Sequence, residues 1–103
     1  MSLGHVLKLI RTNKGFNQKQ MADMLGISQN YLSLIESEKK QPSSDRIAEM
    51  AKCLNISTDT LVFAASDVPE ELNPKDRKDF QCLQNNIISL LLFELTGELK
   101  PIA

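Results

Sequence analysis

Gln29, Asn30 and Ser33 are residues with chemistry to offer and no evident duty inside the chain. They follow a break at Gly26 in the stretch MADMLGISQNYLSLIE, on the polar side of an apolar pattern with helical period. A carboxamide carries a donor and an acceptor together, which matches the N6 and N7 edge that adenine presents in the major groove of DNA. Ser33 falls one turn further along the same face. Little else in the chain suggests chemistry. There is no glycine-rich phosphate loop, no cysteine–histidine pair and no metal-ligand spacing, and the carboxylates are scattered along the chain. An enzyme is therefore not expected, and neither a cofactor nor a metal site is called for. Cys53 and Cys82 stand alone, each inside an apolar helical pattern, and are expected to be buried free thiols.

The elements that would position those side chains are all helices. Val6, Leu7 and Ile10 recur at helical spacing, and Gly15 ends that first helix. Asn17 caps a second helix, with Gln20 three residues on completing a capping box, and Met21, Ala22 and Leu25 form its inner face. Gly26 sits where the chain must turn sharply, a place that calls for positive φ. Ser28 then caps a third helix, pinned by Leu32 and Ile35, while Ala22 is small where the helices cross and Ile27 plugs the turn. Two helices so joined make a helix-turn-helix, whose second helix offers its N-terminal residues to a major groove.

Beyond the polar loop SEKKQPSS, Ser43 or Ser44 caps a fourth helix with Ile47, Met50, Ala51 and Leu54 inward. Ser57 caps a short fifth helix containing Leu61, Val62 and Phe63. The stretch ASDVPEELNP reads as a linker, after which Asn73 as cap and Pro74 at the first helical position open a long helix ending before Gly97. No segment alternates as a strand would. The expectation is an all-α chain: a five-helix domain over 1–64, a linker over 65–73 and a C-terminal helix within 74–103.

Of the 103 residues 42% are hydrophobic and 24% charged, which is ordinary for a globular protein. The net charge of −1 hides an uneven distribution: basic residues lead by two over 1–64 and acidic ones by three over 65–103. The densest apolar run, Ile87–Leu95, is far short of the roughly 20 residues that a membrane span needs. With no secretory signal and two unpaired cysteines, a cytoplasmic location is expected.

The segment NQKQMADMLGISQNYLSLIESEKKQPS resembles the phage-repressor-like helix-turn-helix family (Cro/C1-type, or XRE), with Gln18, Ala22, Gly26, Leu32 and Ile35 at the family's spacing. Arg11 and Gly15 upstream, Glu36 and Pro42-Ser43 downstream, and the trailing LNISTDTL extend the likeness over residues 4–64. The resemblance implies double-stranded DNA as partner and a regulator of bacterial or phage origin. It implies further that Gln29, Asn30 and Ser33 read bases, that Gln18 clamps the DNA backbone, and that Tyr31, Lys39, Lys40 and Ser43 meet phosphates. Arg11 and Glu36 would form a partly buried ion pair between the first and third helices. Two positions depart from the family: Glu38 stands where a small residue or glycine is common, and Leu34 where many relatives are polar or basic. Leu34 is open to two readings, a contact with a thymine methyl or packing against a neighbouring element.

Phe80, Leu83, Ile87, Leu90 and Leu91 fall on one stripe of the last helix, and Ile88, Leu92 and Leu95 on a second. The surface so formed is wider than one face of a small domain needs, so a homodimer through this helix is expected. Two functional readings follow: a repressor occupying a palindromic operator as that dimer, or an antitoxin-like protein whose main partner is another protein.

Overall fold

Each helix begins where a small polar side chain meets a backbone N–H that the helix itself leaves unpaired. The computed structural model describes residues 2–96, with side chains as far as Phe93. Six helices follow in order: α1 (Leu3–Asn13), α2 (Gln18–Leu25), α3 (Gln29–Glu36), α4 (Ser44–Cys53), α5 (Thr58–Ala65) and α6 (Pro74–Thr96). The described residues contain no strand, so the fold is all-α. The side chains of Asn17, Ser28, Ser43 and Ser57 each accept the N–H three residues on. Asn73 does the same for Asp76, and Ser2 for His5. At α2 the capping box is complete, with Gln20 N to Asn17 Oδ1 at 2.8 Å and Asn17 N to Gln20 Oε1 at 2.9 Å.

The first four helices end alike. Gly15, Gly26, Glu38 and Asn55 take left-handed backbone, at φ 72°, 71°, 62° and 60°. After each, the next N–H reaches back five residues: Phe16 to Arg11 O, Ile27 to Ala22 O, Lys39 to Leu34 O and Ile56 to Ala51 O. These are Schellman endings, which satisfy carbonyls that the helix leaves open. Glycine takes that conformation freely and asparagine tolerates it. Glu38 holds it at a cost of about 1 kcal/mol.

Four of the first five helices have eight to ten residues, too short to stand alone in water, so burial holds them. One core draws on all six, from Val6, Leu7 and Ile10 through Met21, Leu25, Leu32, Ile35, Met50 and Leu61 to Ile88, Leu91 and Leu92. Gly4 brings α1 against the end of α3: a Cβ there would overlap the Ile35 carbonyl oxygen and lie 3.0 Å from Glu36 Cα. Segment 65–73, expected as a linker, turns the chain back so that α6 lies on α1 and α5. Two contacts fasten it there. The buried Gln84 amide donates to Phe63 O at 3.1 Å and Ser66 O at 2.7 Å, and the Phe80 ring rests 5.4 Å from that of Phe63.

Two expectations need correction. Cys53 and Cys82 are exposed, not buried. Cys53 is the last residue of α4, where the following Leu54 takes the buried position, and Cys82 lies about 200° around the helix from Gln84. The expected α6 stripe also divides. Leu91 is buried and Ile87 packs against the chain's own core, with Ile88 and Leu92 of the second stripe beside them. Leu83, Leu90 and Phe93 remain 52%, 54% and 46% exposed. An apolar arc this wide offers two faces at 100° per residue, and the periodicity alone does not say which one meets the core. The Leu95 side chain and residues 97–103 lie outside the described residues.

Candidate nucleic-acid interface

α3 owes its place to its inner side. Leu32 and Ile35 are buried, the Ser28 hydroxyl takes the Tyr31 N–H at 3.0 Å, and Gly26 makes the turn from α2. Its outward N-terminal end then carries Gln29 and Asn30, both exposed, whose carboxamides make no hydrogen bond to any described residue. Ser33, one turn on, is half-buried. These two amides are solvated now and free to pair with another hydrogen-bonding surface.

The C-terminal end of α3 is held by one carboxylate. Glu36, 5% exposed, receives Arg11 Nε on Oε2 at 2.8 Å and Arg11 Nη2 on Oε1 at 3.1 Å. Gln18 Nε2 adds a third bond to Oε1 at 3.3 Å, and Arg11 Nη1 donates to Phe16 O at 3.0 Å. The Arg11–Glu36 fork is bidentate and nearly dry, the arrangement in which charge-assisted hydrogen bonds are strongest. It joins α1, the start of α2 and the end of α3 at one point, and removing either partner would strand a buried charge. Gln18 is half-buried, and one of its two amide hydrogens is engaged here.

The remaining sequence-derived residues lie on α3 and between α3 and α4, with Tyr31 and Lys40 beside the N-terminal end of α3. Tyr31 is half-buried, with the Lys40 ammonium 5.8 Å and the Arg46 guanidinium 5.7 Å from its ring centroid. Sequence reading singled out Tyr31 and Lys40 but passed over Arg46. The only signal was a basic residue three places after the Ser43 cap, and its proximity to Tyr31 appears only once α4 packs. Ser43 caps α4 by accepting the Arg46 N–H at 3.3 Å. Lys39 is exposed in the loop, and its N–H, like that of Lys40, returns to Leu34 O. The Leu34 side chain is half-buried, Glu38 is exposed on the same loop, and His5 is exposed on α1. Among the described residues no three His, Cys, Asp or Glu converge as a metal site would require. No helix there is long and apolar enough to cross a membrane.

Comparison with known proteins agrees with the helix-turn-helix fold. The helix-turn-helix family profile matches residues 7–61. The HTH-type transcriptional regulator ImmR of Bacillus subtilis is 34% identical over 98 residues, which cover 95% of this chain and 71% of that protein. The SPbeta prophage-derived uncharacterized HTH-type transcriptional regulator YonR of the same organism is 37% identical over 73 residues, 68% of each chain. The immunity repressor protein of Bacillus phage phi105 is 30% identical over 82 residues, 77% of this chain and 57% of that one. No solved structure gave a significant match. The chain belongs to the phage-repressor-like helix-turn-helix family of transcriptional regulators.

Proposed function

We propose that this regulator represses transcription by occupying a two-fold-symmetric operator as a homodimer, reading bases with Gln29, Asn30 and Ser33. The observation that carries the reading is the exposed, unpartnered pair of carboxamides at the start of a helix locked into the body by Glu36. Adenine edges answer both halves of a carboxamide at once. Repression rather than activation is favoured by the immunity repressor among the relatives. Gln18 at the start of α2, Lys39 and Lys40 in the α3–α4 loop and Ser43 at the α4 cap hold the DNA backbone in this reading.

The dimer rests on the second apolar face of α6. Leu83, Leu90 and Phe93 are about half exposed along one side of a helix that is already seated on its own core. A single reading helix covers few base pairs, whereas two related by a dyad read half-sites about 34 Å apart, or a multiple of that. A second copy of α6 covers the apolar face and supplies the dyad together.

Selection of bound duplexes from a random pool, with sedimentation of the purified chain, tests both halves. The expected result is a dimer at micromolar concentration and an inverted repeat rich in A·T pairs at the amide-contacted positions. A monomeric chain selecting a lone half-site would transfer the α6 face to a different protein and leave the antitoxin-like reading standing.

A further inference from the structure

The outward face of α6 is apolar except at its centre and its N-terminal end. Leu83, Leu90 and Phe93 share that face with Asn86, which lies between the two leucines and is likewise exposed. The Asn86 carboxamide makes no hydrogen bond to any described residue. Asp79, also exposed, stands one turn before Leu83. Positions 79, 83, 86, 90 and 93 alternate steps of four and three, the spacing of a seam between two helices. They fall within about 80° of arc, on the side of α6 turned away from the buried Gln84, Ile88 and Leu91. Read from its N-terminal end, the seam is Asp, Leu, Asn, Leu, Phe.

The second copy of α6, which rests on the dimer of the proposed function, can run along this seam in either direction, and the polar side chains separate the arrangements. Antiparallel about Asn86, the two carboxamides meet, but each Phe93 ring then faces an Asp79 carboxylate. A carboxylate pressed against apolar surface loses water and gains no counter-ion. Antiparallel and shifted so that Phe93 meets Leu83, each Asn86 faces Leu90 and its carboxamide is left dry and unpaired. Parallel and level, every apolar layer meets its like, and at 86 the donor and acceptor of one carboxamide answer those of the other. The Asp79 carboxylates then lie beyond the last apolar layer, where water still reaches them. We infer that two copies of α6 pair parallel and in register, with Asn86 against Asn86 of the second copy as the polar layer that fixes direction and register. The same layer selects the partner, because a helix offering an apolar side chain at that level leaves the Asn86 carboxamide unsatisfied.

The test is disulfide trapping in the full chain, with the exposed Cys53 and Cys82 replaced by serine and one new cysteine added at a time. Asn86→Cys and Leu90→Cys should each oxidise to a covalent dimer several-fold faster than Asn85→Cys, which is exposed but lies off the seam. Mixing Leu90→Cys chains with Leu83→Cys chains, or with Asn86→Cys chains, should still give like-with-like products. A dominant 83-to-90 product would show the helices antiparallel about Asn86, and a dominant 86-to-90 product the shifted arrangement; either overturns the inference. The role of Asn86 itself is read in an Asn86→Leu background. Self-association should tighten there, while 83-to-90 products appear because nothing now fixes the direction. Like-with-like products alone in that background would show that Asn86 does not set it. Failure of the proposed dimer looks different: the wild-type chain sediments as a monomer, and no seam cysteine oxidises faster than Asn85→Cys.

Discussion

α3 and α6 each keep one face in the shared core and turn another away from it, and the two outward faces are opposites. α3, eight residues long, exposes carboxamides, whereas α6, twenty-three residues long, exposes two leucines and a phenylalanine. A polar face is satisfied by water, so α3 can wait for its partner without penalty. An apolar face exposed to water is unfavourable until covered, so α6 calls for a partner at all times. In the proposed function the contrast would order the events: self-association through α6 first and lasting, DNA engagement through α3 conditional and reversible.

The strongest challenge to that contrast is to make the two faces alike. Leu83→Glu combined with Leu90→Glu should leave the monomer folded, since both side chains are already half exposed, and should weaken the dimer by about 3–6 kcal/mol. Sedimentation of the variant checks this, and a dimer of unchanged affinity would remove α6 from the interface. Next comes the anchoring of α3. Glu36→Ala should lower stability by about 3 kcal/mol, because the Arg11 guanidinium, 14% exposed, loses its carboxylate. A chemical denaturation midpoint equal to wild type would show that the fork does not hold the helix.

Asn30→Ala sharpens the comparison from the other side, because it alters the outward face of α3 alone. It should cost about 1–3 kcal/mol on the preferred site, relax preference at particular base pairs and leave the dimer untouched. Unchanged site selection would remove Asn30 from the readout. The smallest effect concerns the loop between the two halves of the interface. Glu38→Gly relieves a left-handed strain and removes a negative charge beside the proposed DNA-binding face, and the greater freedom of glycine in the unfolded chain offsets part of the gain. A net stabilisation of about 0.5–1 kcal/mol, with somewhat tighter binding at low salt, is the expected outcome. Thermal melts and a salt titration measure the two parts separately.

Most of the fold was legible because capping is local. Asn17, Ser28, Ser43, Ser57 and Asn73 announce helix starts through bonds spanning three residues, and Gly15 and Gly26 announce two of the four left-handed ends. Asn55 is a residue that tolerates the same conformation but signals it more weakly than glycine, and Glu38 fills it with a side chain that no composition rule marks, so that end was silent. The α6 faces were illegible for another reason: an arc apolar on both sides has no unique inward direction until Gln84 and Phe80 lock its rotation against α5. At the candidate interface, the residues that α3 itself carries were readable from one stretch of sequence. Arg46 was not, because its approach to Tyr31 depends on where α4, packed on α2 and α5, sets its first turn.

Gly4 has a consequence of its own for how such a regulator changes over generations. Nothing at position 4 can touch DNA by a side chain, yet its backbone bears on the last turn of α3, at Ile35 and Glu36. Any replacement there adds bulk between α1 and that turn and forces a shift of α3, the proposed reading helix, without altering a residue of its outward face. Drift in binding preference among descendants of this chain can therefore begin at a site that a comparison of contact residues would score as identical.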